Sequence, residues 1–195
     1  LSTDITTILQ EVGALKEGHF LLSSGRHGDR YIEKFELLCV PQATEAVCRG
    51  FAERFANAGI TVVAGPTTGG ILLGFEVARQ LGVRAAYAER ADAGQGRAFR
   101  RGYAPTPADR VLVVDDILTT GGSVRDTLDA LDALGVRAHA VGVLVDRSGG
   151  RVDLGVPLVP LLQVDIATFA PDDCPLCRDN IPLVKPGTTT NPAPR

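Results

Sequence analysis

With 195 residues, 45% of them hydrophobic and 22% charged, the chain has an ordinary globular make-up, which excludes disorder and leaves room for a core that needs no staple. A net charge of −3 offers no attractive surface to nucleic acid or to an anionic membrane. No apolar run reaches the roughly 18 residues of a membrane span, the polar-interrupted opening is unlike a signal peptide, and four cysteines do not make a disulfide framework in this length, so a cytoplasmic protein is expected.

In the opening segment Ile5, Ile8, Leu9, Val12 and Leu15 stand at helical spacing, with Thr3 and Asp4 as candidate caps and Gly18 as the stop. HFLLSSGRHGDRYIEKFELL then predicts a hairpin-like unit, two extended pieces around a polar turn. Residues 42–58 return to helical spacing with Ala46, Val47, Phe51 and Phe55 on one face. ITVVAGP predicts a strand, ILLGFEVARQLG a helix and RAAYAE a second strand. A glycine- and arginine-rich polar stretch covers residues 90–102. DRVLVVDD is the next strand, SVRDTLDALDALG the next helix, and RAHAVGVLVD and VPLVPLLQVDIATF the closing strands. Near-continuous apolar strands alternating with helices predict an α/β fold, a parallel sheet covered on both faces. The organisation expected is one domain over residues 1–184: a small hood mainly from 1–40, an α/β core over 41–170 and a C-terminal segment over 171–184. KPGTTTNPAPR, residues 185–195, predicts a mobile tail.

The stretch richest in chemistry is VLVVDDILTTGGS. It places Asp115 and Asp116 at the end of a buried strand, where ligands of open parallel sheets bind. Behind them Thr119, Thr120, Gly121, Gly122 and Ser123 form a hydroxyl- and glycine-rich turn before a helix. Its amides, hydroxyls and helix dipole suit a phosphomonoester. An acidic pair would repel that phosphate, but it suits vicinal hydroxyls beside it, met directly or through Mg²⁺. A 5-phosphoribosyl group carries both features, and no GxxxxGK[ST] loop is present to suggest a nucleotide triphosphate site.

VLVVDDILTTGGS resembles the signature of type I phosphoribosyltransferases, which bind 5-phosphoribosyl pyrophosphate (PRPP). The resemblance implies that fold, a parallel-sheet core with an N-terminal hood, and PRPP contacts along Asp115, Asp116, Ile117, Leu118, Thr119, Thr120, Gly121, Gly122 and Ser123. AGPTTGG resembles the family's pyrophosphate loop, implying contacts from Thr67, Thr68, Gly69 and Gly70 and a non-proline cis peptide. Residues 90–101, RADAGQGRAFRR, correspond to the family's catalytic lid. Arg90 matches the arginine that opens this segment in orotate phosphoribosyltransferases. The lysines and histidine those enzymes carry further along are replaced here by Ala91, Gly94 and Gly96, leaving Arg97, Arg100 and Arg101 as the lid cations.

Two further pieces resemble the orotate branch. The 19–38 segment resembles its opening, with Ser24 and Gly25 in a Ser-Gly turn, although Ser23 stands where many relatives carry a basic residue. VGVLVDRSGG places Arg147 where the branch meets the orotate carboxylate, a geometry that suits a guanidinium fork. Thr119 is implied at the base as well. The resemblance therefore implies transfer of phosphoribosyl from PRPP to orotate, with Mg²⁺ held through PRPP rather than by a firm protein ligand, in a homodimer without nucleic-acid or membrane partners. The alternatives are salvage of another base and a PRPP-sensing regulator without catalysis. CPLCRDNIPL also resembles one branch of orotate enzymes. Its Cys174 and Cys177 form a lone CxxC, half a zinc site with no second CxxC or CxxH to complete it, so a reduced pair in a turn is expected, with a Cys₄ zinc site combined from two subunits as the weaker alternative.

Overall fold

The computed structural model describes residues 4–22, 24–91, 94, 96–100 and 103–186. Asp4 caps the first helix, α1 (Ile5–Glu11), by accepting from Thr6 N at 3.2 Å. The helix is shorter than its apolar spacing predicts, because Leu15 already belongs to strand β1 (Leu15–Leu21). β1 pairs antiparallel with β2 (His27–Ile32), as the hairpin reading expects. The second extended piece, however, does not run on. Glu33 caps a short helix, α2 (Lys34–Leu38), through Phe35 N, and buries Leu37 and Leu38.

The main sheet has the order β5-β4-β3-β6-β7-β8. Its strands are β3 (Val62–Pro66), β4 (Arg84–Arg90), β5 (Arg97–Phe99), β6 (Val111–Leu118), β7 (Ala138–Asp146) and β8 (Leu158–Gln163). All adjacent pairs are parallel except β4 and β5. Strand alternation splits the core in two. Val63, Leu112 and Val114 face Val47, Phe51, Leu73 and Val77 of α3 (Pro41–Phe55) and α4 (Gly69–Leu81). Val62, Ala64, Val111 and Val113 face Val124, Leu128 and Leu131 of α5 (Gly122–Asp132). Helices thus cover both faces of the sheet, as the α/β reading requires.

Two differences from the sequence reading matter for the site. The glycine- and arginine-rich stretch is not all loop, since β5 turns back along β4 with Arg97 opposite Arg90. VPLVPLLQVDIATF is not one strand either. Its first part is β8 in the main sheet, and Thr168–Phe169 forms β9, which joins β2 in a separate three-stranded sheet β1-β2-β9. The chain continues through a 3-10 turn (Pro171–Asp173) and α6 (Pro175–Arg178) to an isolated bridge between Val184 and Phe20.

Candidate active site

Asp115 and Asp116 are 6% and 5% exposed at the carboxyl end of β6. Because they are successive strand residues, they point to opposite faces of the sheet. Asp115 lines a recess of about 100 Å³ whose other walls come from the 117–124 turn. Asp116 lines a larger cleft of about 960 Å³ between the main sheet and the β1–β2 sheet. Each carboxylate accepts one backbone amide: Asp115 Oδ1 from Asp116 N at 2.8 Å, and Asp116 Oδ1 from Ile117 N at 2.7 Å. Lys34 Nζ lies 2.8 Å from Asp116 Oδ2, so the short helix α2 brings a cation to the acidic pair.

Burial, and then the neighbouring Asp116 charge, push the Asp115 carboxyl up to about 7. A carboxyl raised in the folded state stabilises the fold while protonated, and that contribution is lost as pH rises through the raised value. The ligand-free protein should therefore lose stability relative to Asp115→Asn from about pH 4, near the unfolded value, up to about pH 7, with no further change above that. Denaturant unfolding of both proteins across that range checks this, and a constant difference between them would contradict it.

The 119–123 turn joins β6 to α5, with Gly121 as N-cap in the left-handed region at φ 81°. A side chain there would also stand 2.9 Å from Val152 Cγ1, so the position requires glycine. No side chain caps α5, which leaves its first amides open to an anion. On the neighbouring strand, β3 ends at Pro66 and α4 starts at Gly69, again without a side-chain cap. The Thr67–Thr68 peptide between them is cis. β3 and β6 are adjacent, so both turns open at the same end of the sheet.

Arg97 spans the two turns. Its Nη1 donates to Thr67 Oγ1 at 2.9 Å and to Ala88 O at 3.0 Å, and its Nη2 donates to Ser123 Oγ at 2.7 Å. Its Nε is buried with no hydrogen-bond partner among the described residues. Of the other lid arginines, Arg90 and Arg100 are exposed beside the edge strand β5, and Arg101 lies outside the described residues, as does Ser23.

Arg147 follows β7, and its backbone amide donates to Leu118 O at 2.8 Å. The side chain enters the large cleft beside Asp116 and Thr119. Its Nε is buried without a partner, and no carboxylate pairs with it among the described residues. Desolvation lowers its pKa while Tyr31 pulls the other way. Gly25 lines the same cleft, whereas Ser24 Oγ accepts from Arg26 N at 3.4 Å on the turn. Sequence reasoning missed Lys34, Tyr31 and Lys185, which also line it. A signal existed for two of these: the chain has three lysines, and Lys34 and Lys185 are both here.

Buried acids, two open helix starts and unpaired guanidinium donors share one end of the sheet. They provide acceptors for hydroxyls, two anion cradles and a cationic fork in an adjoining cleft. A separate recess of about 370 Å³ beside Asp109, Arg110, Arg137 and His139 lies at the opposite, amino ends of β6 and β7.

A family model for the phosphoribosyl transferase domain matches residues 37–157. The orotate phosphoribosyltransferase of Pelotomaculum thermopropionicum is 49% identical over 185 residues, covering 95% of this chain and 96% of that protein. That of Desulforamulus reducens is 45% identical over the same shares of the two chains. Among solved structures, the orotate phosphoribosyltransferase of Aeropyrum pernix superposes with a TM-score of 0.70 at 30% identity, over 82% of this chain and 93% of that one. The chain belongs to the phosphoribosyltransferase family, among the orotate phosphoribosyltransferases.

Proposed function

We propose that the protein transfers the 5-phosphoribosyl group from PRPP to orotate, forming orotidine 5′-phosphate and pyrophosphate. The observation that carries the orotate assignment is Arg147, a half-buried guanidinium with no acidic partner among the described residues, in a cleft next to the acidic pair. An unpaired buried cation is costly until an anion meets it. Orotate supplies a carboxylate, and a neutral purine does not.

In this reading the 5-phosphate sits on the open amides of the 119–123 turn, and the pyrophosphate meets the turn formed by Thr67, Thr68, Gly69 and Gly70. Asp115 and Asp116 accept the ribose hydroxyls. As the bond from the anomeric carbon to pyrophosphate breaks, a bond to the base nitrogen forms and that nitrogen gives up its proton to the pyrophosphate or to solvent, positive charge grows transiently on the sugar ring. Two fixed carboxylates stabilise that charge, and Arg97, with the exposed Arg90 and Arg100 and with Arg101 of the lid, balances the departing pyrophosphate. The protein's task is to position the parts and exclude water. The all-oxygen donors of the acidic pair suit a hard cation. Mg²⁺ carried by PRPP would neutralise the leaving group when bound. The exposed apolar side chains Phe35, Leu72 and Phe75, on the packed helices α2 and α4, support a homodimer, which sedimentation equilibrium tests directly.

The experiment is turnover with PRPP, Mg²⁺ and a panel of bases, on the wild type and Arg147→Ala. Orotate alone among the bases should be consumed. Loss of a charge-assisted pair of about 1.5–3 kcal/mol should raise KM for orotate by about 10- to 150-fold while leaving the PRPP affinity within a few-fold. Turnover only with a purine or uracil would make the protein a salvage enzyme. PRPP binding without any turnover would make it a regulator, and an unchanged KM in the variant would remove Arg147 from the base site.

A further inference from the structure

The two cysteines of CPLC are not half of anything in the folded chain. His19 of β1, His27 of β2, Cys174 and Cys177 bring four ligand atoms within 4.8 Å of one another. His19, His27 and Cys174 are 2%, 6% and 1% exposed, and Cys177 opens to solvent. Cys174 Sγ is 3.5 Å from His19 Nε2. Cys177 Sγ is 3.7 Å from His19 Nε2 and 3.4 Å from His27 Nδ1. A tetrahedral zinc ion with bonds of about 2.05 Å to nitrogen and 2.3 Å to sulfur sets each nitrogen–sulfur edge at about 3.5 Å. The three distances straddle that value.

A hydrogen-bonded histidine pair accounts for less. His19 Nε2 and His27 Nδ1 are 2.9 Å apart, so one can donate to the other. That bond leaves two thiols converging on the same point with only weak S–H contacts. The Ile181 carbonyl, 2.7 Å from His19 Nδ1, can only accept, so Nδ1 carries the proton and Nε2 turns its lone pair into the cluster. A carbonyl that accepts from the far ring nitrogen in this way is the usual orienter of a metal-bound imidazole.

Between residues 165 and 186, Cys174 is the one buried residue. Ile181, Leu183 and Val184 are exposed. The segment nevertheless crosses the small sheet: Val184 N donates to His19 O and Leu21 N to Val184 O, both at 2.8 Å. With so little apolar burial, a structural metal is a physically adequate anchor.

We propose that His19, His27, Cys174 and Cys177 bind one Zn²⁺ ion in a closed Cys₂His₂ site that fastens the C-terminal segment to the β1–β2 sheet. All four positions come from the protein, so the ion is structural rather than catalytic. On binding, both thiols release a proton to solvent, and His27 presents Nδ1 with its ring hydrogen on Nε2. Soft sulfur with imidazole in a tetrahedron selects zinc over the hard cation used with PRPP. Lys185 follows Val184 directly and lines the large cleft, so the ion also fixes one wall of the base site.

The test uses tag-free full-length protein. Elemental analysis should find about one zinc per chain, and Co²⁺ exchange should give the intense visible bands and thiolate charge-transfer absorption of a tetrahedral S₂N₂ site. Cys177→Ser, at an exposed position, should lose most of the zinc and become cleavable by protease after residue 164, while the rest of the chain stays resistant. Three results would overturn the proposal: zinc-free protein that gives no tetrahedral cobalt spectrum, undiminished zinc in Cys177→Ser, or a Cys174–Cys177 disulfide in protein kept under reducing conditions. The metal measurements on the wild type do not depend on any variant folding.

Discussion

Replacing Asp115 and Asp116 together by asparagine is expected to lower PRPP-dependent turnover by about a thousandfold or more while the fold survives. Each carboxylate offers a charge-assisted hydrogen bond of about 1.5–3 kcal/mol, and every 1.4 kcal/mol lost is about tenfold in rate. The loss should fall on kcat, because a cationic ring needs the negative charge more than the ground-state ribose does. Asparagine keeps the volume and can still accept from Asp116 N and Ile117 N, the amides that the two carboxylates hold in the wild type. It also ends the burial of a charge, and the repulsion from Asp116, that push the Asp115 carboxyl upward. Above neutral pH that relief offsets the loss of the Lys34–Asp116 ion pair, so the variant should melt within a few degrees of the wild type. Steady-state kinetics beside thermal unfolding separates the two effects, and turnover within threefold of the wild type would end the assigned role.

The largest effect on stability is expected from Gly65→Ala. Gly65 lies in the buried strand β3, where a Cβ would overlap the carbonyl oxygen of Gly70 and stand 2.9 Å from Val114 O. Both obstacles are backbone, so neither can swing aside as a side chain would. Forcing β3 away from the start of α4 and from β6 should cost about 3 kcal/mol or more. In a chain of this size that lowers the melting temperature by about 10 °C. Because the same contacts bring the 67–70 turn beside the acidic pair, residual folded protein should also bind pyrophosphate more weakly. A melting temperature within 2 °C of the wild type, measured by calorimetry, would show that the strand can yield.

The strand-and-turn units around Asp115 and Thr67 were legible because their signals are local. An apolar run, an acidic pair and a glycine turn occupy about a dozen consecutive residues. Arg147 was legible for the same reason, sitting next to the end of β7. What stayed hidden was assembled across the chain. Lys34 belongs to a helix of five residues, too short for apolar spacing to separate from an extended run. β9 lies in the same apolar stretch as β8, yet it pairs with β2, and periodicity carries no record of which sheet a strand will join. The histidines beside Cys174 and Cys177 come from positions 155 and 150 residues away, in a hairpin whose sequence reads only as half-buried β. A CxxC search along the chain cannot find partners that only β-pairing supplies.

Arg97 has a consequence for how the site meets its first ligand. The guanidinium already ties Thr67 to Ser123, so the two anion cradles are held at a set separation before anything binds. Under the proposed function, a bisphosphorylated molecule that spans both turns replaces those ties at two points at once and inherits a spacing already made. A lone phosphate can replace only one end and leaves the other tie pulling against it. On that proposal the resting site acts as a caliper that discriminates by the distance between two charges, and it should favour PRPP over the free phosphate and pyrophosphate around it.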